Sequence, residues 1–417
     1  MARRPVKDLA AAHYGCVVTA PERIVRAGQA EGLARSAVDW MVARSAGSDF
    51  SLYSGQAGIL LALHEAQKHF KDRALSDAMA LTADMLAADL DEVADSSLYF
   101  GLTGCAVALH ATGRDGDAQR AAMLVASRCS GGRWGEMFEL LFGNAGIGIG
   151  ALQMGDLDLA VGALEPYLQT ATTTSHGVNW AVRPTPARSH HIAHGTLGIV
   201  YALAAVGHAA NRPDFVELAL EGACDVVGRN EQMPDGFLVP HSDPPHRPDI
   251  IERYSFGWCN GPAGDAQVFR LLRWITGDRR WKRLADGCWH TIRTSGLPQR
   301  TRPGFWDNNG RCCGTAGVLA LALDRIVEEG DDFEFADVLV DDLLARATVD
   351  PTGARWSNYE HRATPSDLEP QLGWAMGNAG IVRELLRYAR VCQGRDDAYA
   401  TPWPDHPRAV REGVEPT

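Results

Sequence analysis

An all-α fold, a closed double ring of about seven inner and seven outer helices, is predicted by three observations on this 417-residue chain. Gly-x-x-Gly recurs at Gly55/Gly58, Gly101/Gly104, Gly143/Gly146, Gly195/Gly198, Gly261/Gly264, Gly314/Gly317 and Gly377/Gly380. The first glycines stand 46, 42, 52, 66, 53 and 63 residues apart, as in a supersecondary unit repeated along the chain. Most turns lead into a small-plus-aliphatic run such as Gly58-Ile59-Leu60-Leu61-Ala62-Leu63 or Gly317-Val318-Leu319-Ala320-Leu321-Ala322.

Each element follows from its own pattern. Segments 30–45, 74–90, 119–127 and 333–347 carry apolar residues three and four apart with charges between, which suits outer helices. The runs after each glycine pair are apolar on more than one side and rich in Ala and Gly, which suits inner helices packed closely on their neighbours. Seven pairs make about fourteen helices, which fills the chain. The paired glycines are expected to turn outer into inner helices at positive φ and to let helices approach, bringing seven loop ends to one rim. Three connections lack periodicity, 170–190, 232–256 and 295–311, and lead into the turns at His194, Cys259 and Cys312; long loops inside a compact domain are usually functional.

A repeat spanning residues 55–380 leaves no room for a second core, so residues 1–400 are expected to form one domain. The tail 401–417, with Pro402, Pro404, Pro407 and Pro416, is expected to be loosely held. Hydrophobic residues make up 46% and charged residues 22%, as in an ordinary globular protein. A net charge of −12 without a Lys/Arg run argues against nucleic acid. The first residues carry charge but no apolar stretch, and the most apolar segment, 195–210, is too short to span a bilayer. A cytoplasmic protein without a secretory signal or transmembrane segment is expected.

Nine cysteines, an odd number, argue against a disulfide framework. Cys16, Cys105, Cys129, Cys224, Cys288 and Cys392 read as buried thiols. Cys259, Cys312 and Cys313 differ, because each adjoins a Gly-x-x-Gly turn. Tyr254-Ser255-Phe256-Gly257-Trp258-Cys259-Asn260-Gly261 and Phe305-Trp306-Asp307-Asn308-Asn309-Gly310-Arg311-Cys312-Cys313-Gly314 occupy equivalent places in adjacent repeats. Three thiols on neighbouring loops suit Zn2+, since thiolates are soft donors, and three protein ligands leave one position open. The spacing matches no short zinc-finger signature, so the repeat carries this assignment.

With Trp-Cys-x-Gly in the fifth repeat, Cys-Cys-Gly in the sixth and His-Gly in the fourth, the chain resembles the lanthionine synthetase C-like (LanC) family over nearly its whole length. The resemblance implies an α/α toroid with zinc at the rim of the barrel, where cysteine thiols of a dehydrated precursor peptide add to dehydroalanine or dehydrobutyrine to form thioethers. It implies Cys259, Cys312 and Cys313 as metal ligands, Cys313 standing where many members have histidine. It implies His194 as acid/base, and Glu139 where bacterial cyclases have aspartate. Arg253 lies near, but out of register with, an arginine that members use. Trp258, Tyr254 and Trp306 are expected, with Arg253, to contact substrate. A third thiolate makes the metal site more negative and a bound sulfur more nucleophilic. Dehydration is expected from a separate dehydratase or kinase/lyase.

Each residue has a plainer explanation beside this one. A histidine before glycine is often a cap, Glu139 suits the entry to a helix, and aromatics near motifs usually pack. His190 and His191 read as solvated loop residues. Rival functions are glutathione addition to dehydrated residues in proteins, and a binding module whose structural zinc takes His241 or His246 as fourth ligand. Glycoside hydrolysis needs a carboxylate pair that the sequence does not offer.

Overall fold

The computed structural model describes residues 20–233, 236–249, 251–299, 308–359, 364 and 367–414, without the side chains of 411–414. Inner helices follow every Gly-x-x-Gly turn: α2 (Gln56–Phe70), α4 (Leu102–Ala111), α6 (Asn144–Gln153), α8 (Thr196–Ala209), α10 (Pro262–Thr276), α12 (Thr315–Glu329) and α14 (Asn378–Cys392). Outer helices alternate with them: α1 (Ala20–Val42), α3 (Arg73–Ala88), α5 (Asp115–Ser127), α7 (Leu157–Thr170), α9 (Pro213–Val227), α11 (Arg279–Thr294) and α13 (Glu334–Arg346). Each inner helix packs on the next, and α14 packs on both α2 and α1, so the ring closes: an α/α toroid. Among the described residues, the strands in the connections form only two-stranded antiparallel pairs. Among the described residues no helix is long and apolar enough to cross a membrane.

Patterning explains the two layers. In α8, Thr196 through Gly207 are all buried, whereas α9 buries only Phe215, Ala219, Gly222, Ala223, Asp225 and Val226. Each fully buried Leu, Ile or Val contributes about 1.5–3 kcal/mol. Polar pins at the start of inner helices join the layers. Buried Asn144 donates to the carbonyls of Gly132 and Ala163 (2.7 and 2.9 Å), and Asn378 donates to those of Ala37 and Ala354 (3.2 and 2.9 Å).

Backbone hydrogen bonds stitch the rim. The residue two before each first glycine bonds its counterpart in the next repeat: Tyr53 N–H to Tyr99 C=O, Tyr99 to Leu141, Ala193 to Cys259, Cys259 to Cys312, Cys312 to Ala375 and Ala375 to Tyr53, at 2.9–3.3 Å. One link is missing, from Leu141 to Ala193; Leu141 N–H goes instead to Glu139 Oε2 at 2.6 Å. The expected positive φ at the paired glycines is corrected here, since the first glycines lie at φ −116 to −164°. Glycine is required by close approach. A Cβ at Gly146 would collide with the Leu140 carbonyl and stand 2.9 Å from Leu98 Cβ of the preceding repeat, and the other second glycines meet the same carbonyl six residues earlier.

The tail expected to be loose is instead docked, as far as its side chains are described. Trp403, Asp405, His406 and Val410 are buried, and α15 (Pro407–Val414) packs on α6, α8 and α10 inside the ring. Trp403 stacks on Trp374 (4.4 Å between centroids) and donates to Tyr99 Oη at 3.0 Å. Asp405 accepts from Tyr99 Oη (2.9 Å) and Trp258 Nε1. His406 meets Asp324 at 2.9 Å, where Arg270 and Arg387 also converge at 2.6 and 2.7 Å. Burial would raise the Asp324 carboxyl, but these cations hold it well below the carboxylate range. A polar ring interior needs these partners, because an uncompensated buried charge costs about 3–5 kcal/mol.

Candidate metal centre

The backbone ring places the three thiols. Cys259 and Cys312 occupy its linked positions in the fifth and sixth repeats, 3.1 Å apart from N–H to carbonyl, and Cys313 follows. Gly257 permits this approach, because a Cβ there would lie 2.8 Å from Cys313 Cα. All three Sγ atoms lie within 4.8 Å of one another; Cys259 and Cys312 are buried and Cys313 is half-exposed, so the open side is at Cys313. Tyr53 Oη donates to Cys312 Sγ at 3.6 Å and Asn260 Nδ2 to Cys259 Sγ at 3.5 Å; Cys313 Sγ touches Met376 Sδ at 3.4 Å.

These donors fit a soft dication. Hydrogen bonding to Cys312 and Cys313, with burial, holds the Cys259 thiol well above the ordinary thiol value, and the Tyr53 phenol is raised by Cys312, burial and Cys313. Three sulfurs this close cannot all ionise beside one another unless a cation compensates them. The remaining cysteines contrast with them. Cys105 and Cys288 are isolated in the core, with burial pushing Cys105 up to about 12; Cys224 and Cys392 are half-buried. Cys129, expected to be buried, is exposed at the end of α5, and Cys16 lies outside the described residues. Among the described residues no His, Asp or Glu joins the sulfur group, so the suggested fourth ligands His241 and His246 are not part of it.

Sequence reasoning missed a regularity at the residue directly before each first glycine. Ser54, Phe100, Phe142, His194, Asn260, Cys313 and Met376 are all half-buried, and each first glycine behind them is buried. They form one circle of side chains around the mouth of the ring. Phe100 stacks on Phe142 (4.4 Å, 2°) and on Tyr53 (4.8 Å), and Phe142 lies parallel to His194 (6.1 Å, 17°). Aligning the seven turns would have exposed Phe100, Phe142 and Met376 as rim residues alongside His194 and Cys313.

His194 follows Ala193, whose N–H bonds the Cys259 carbonyl, so its turn adjoins the Cys259 turn on the rim. Its Nδ1 lies 3.6 Å from Oε1 of fully buried Glu139. Glu139 also accepts from Leu141 and Phe142 N–H (2.6 and 3.2 Å), closing the missing link of the backbone ring.

The remaining expectations divide. Trp258, expected on a substrate groove, is 1% exposed; it packs on Tyr99 and Trp374 and donates to Asp405, so it positions Cys259 from beneath. Arg253 and Tyr254 lie on the surface with their polar groups engaged by Glu231. Trp306 lies outside the described residues. His190 and His191, read as solvated, are buried. His191 meets Asp265 (2.9 Å) and Val239 C=O (3.2 Å), while burial pushes the unpartnered His190 down to about 3.

The model of the lanthionine synthetase C-like protein family matches residues 48–235 and 246–339, more than half of the chain. Among solved structures the chain is similar to nisin cyclase, at 13% identity and a TM-score of 0.64, over 88% of this chain and 94% of that one. An unsaturated glucuronyl hydrolase specific for heparin aligns at 13% identity and a TM-score of 0.49, over 89% and 99% of the two chains. The GH76A alpha-1,6-mannanase from Salegentibacter sp. HEL1_6 aligns at 11% and 0.47, over 87% and 99%. No curated protein matched the chain.

Proposed function

Because the chain belongs to the lanthionine synthetase C-like family, we propose that it is a zinc-dependent cyclase that adds cysteine thiols of a dehydrated precursor peptide to dehydroalanine or dehydrobutyrine. The observation that carries this is the convergence of Cys259, Cys312 and Cys313 at the mouth of the ring, where the Cys259 turn adjoins that of His194. The three sulfurs would hold the metal, a number that leaves one tetrahedral position for substrate. When bound, zinc supplies the Lewis acidity that keeps a thiol, ordinarily of pKa about 8.5, ionised at neutral pH.

The chain's own residues supply the rest. Phe100, Phe142 and Met376 offer apolar surface against which the unsaturated segment lies and thin the water beside it. As sulfur bonds to the β-carbon, the C=C electron pair moves to the α-carbon and its carbonyl. His194 delivers the proton that completes the α-carbon, and the proton lost by the thiol restores the imidazole, so no other reactant is consumed. A histidine suits this exchange because its ordinary pKa lies near working pH. Glu139 faces Nδ1 and leaves Nε2 for the peptide. Dehydration of the substrate falls to a separate dehydratase or kinase/lyase.

The test is a synthetic peptide holding one dehydroalanine and one cysteine, incubated with the purified protein. Cyclisation removes the free thiol at constant mass, and His194→Ala and the Cys312→Ala/Cys313→Ala double variant should each abolish it. A fully active double variant would overturn the proposal. Glutathione addition to dehydrated proteins, favoured by glutamate at position 139, uses the same residues and is distinguished in the same assay by a mass gain when glutathione is the only thiol.

A further inference from the structure

The residues two before each first glycine, which carry the backbone hydrogen bonds of the rim, are in chain order Tyr53, Tyr99, Leu141, Ala193, Cys259, Cys312 and Ala375. Where the ring closes, Ala375 alone separates Cys312 from Tyr53: Cys312 N–H bonds the Ala375 carbonyl, and Ala375 N–H bonds that of Tyr53, both at 2.9 Å. Alanine presents only a methyl group there, so the longer Tyr53 side chain reaches across the position it occupies. Its Oη donates to Cys312 Sγ at 3.6 Å. The other phenol of the set is used elsewhere, since Tyr99 Oη donates to Asp405 at 2.9 Å and accepts from Trp403 Nε1 at 3.0 Å.

Tyr53 is held from several directions. Its N–H bonds the Tyr99 carbonyl at 2.9 Å. Asp49 fastens the loop around it, accepting from Ser51 N–H and Ser54 Oγ at 2.7 Å each. The phenol ring stacks on Phe100 (4.8 Å, 27°), which in turn stacks on Phe142, and it meets Trp374 edge-on at 6.5 Å. Packed rings of this kind have preferred orientations, so the hydroxyl is aimed by its neighbours. Among the described residues its hydrogen-bond partner is the Cys312 sulfur. The other buried sulfur also accepts a hydrogen bond, from the adjacent Asn260 Nδ2 at 3.5 Å. The donor to Cys312 differs in coming from another repeat, so its place there depends on closure of the ring.

We propose that Tyr53 is a positioning residue of the metal centre, whose hydroxyl donates to the Cys312 sulfur and draws off part of the charge that a third thiolate brings. Three thiolates around a dication leave a net negative centre. A hydrogen bond to an ionised acceptor is stronger than one between neutral groups, and partners behind the ligands tune the metal through them. With less charge passed on from Cys312, the metal keeps more Lewis acidity for a thiol arriving at the open position. The role rests on the metal reading of the three cysteines, and it is measurable on the metal itself without turnover.

The experiment compares two variants of the full chain. Tyr53→Phe removes the oxygen and keeps the aromatic stack, whereas Tyr53→Leu removes both. Each purified protein is loaded with Co2+ as the probe, because its sulfur-to-metal charge-transfer absorbance reports the energy of the sulfur lone pairs. Zn2+ affinity is then measured by competition with a chromogenic chelator. Losing the donor raises those lone pairs, so the absorbance should move to lower energy in both variants, and zinc should be held about tenfold more weakly. Tyr53→Phe should keep the wild-type melting temperature. Absorbance unchanged in Tyr53→Phe, or moved only in Tyr53→Leu, would overturn the role of the hydroxyl and leave the metal centre standing. A wild-type chain that takes up no Co2+ would overturn the metal reading and this role with it.

Discussion

Glu139 Oε1 lies 3.6 Å from His194 Nδ1, and the same carboxylate fills the one gap in the ring of backbone hydrogen bonds at the rim. Two duties on one side chain separate by substitution. Glu139→Gln keeps an acceptor for the Leu141 N–H but loses the charge facing the imidazole, so turnover should fall roughly tenfold or more with little change in stability. Glu139→Ala should cost about 1–3 kcal/mol as well, because two N–H groups lose their acceptor. Initial rates and urea unfolding of both variants check this.

The docked tail supports the floor of the site. Trp403→Ala removes a buried stack on Trp374 and should cost about 3–5 kcal/mol. Asp405→Asn should cost little by comparison, since burial already raises the Asp405 carboxyl toward its protonated form, and like that form an amide keeps one oxygen to accept from Trp258 Nε1 and presents a donor to Tyr99 Oη. Equal losses in denaturant titrations of the two variants would contradict this account of the tail.

Acid should weaken the fold at a defined pH. Burial depresses His190 and His241 from an ordinary value of about 6.5 to about 3. Between those values the unfolded chain binds protons that the folded chain does not, so stability is full above about pH 6.5 and falls as the pH drops toward 3. Each histidine contributes up to about 1.4 kcal/mol per pH unit to that slope. Replacing unpartnered His190 by leucine should flatten it in melts at pH 7, 6 and 5.

The double ring was legible because glycine spacing and apolar period are local properties that survive in one dimension. The same spacing brought Cys259, Cys312 and Cys313 together, since adjacent turns in a closed ring must be neighbours, whereas the role expected of His194 came from the family resemblance. Trp258 was misjudged because nothing before it signals that Asp405, 147 residues later, returns to cap its indole. The buried His190 and His191 were misjudged for a similar reason, since strand pairing with Ser242 and Asp265 on α10 cover them from distant parts of the chain. Tyr53 and Met376 stand in register with the cysteines, but neither residue type signals metal chemistry by itself, so only their position reveals them.

Metal content is the most direct test. Purified wild-type protein, dialysed and analysed by inductively coupled plasma mass spectrometry, should carry about one zinc per chain. Cys259→Ala and the Cys312→Ala/Cys313→Ala double variant should lose it, while Cys105→Ala should retain it. A wild type without metal, or zinc undiminished in the double variant, would contradict the three-sulfur centre.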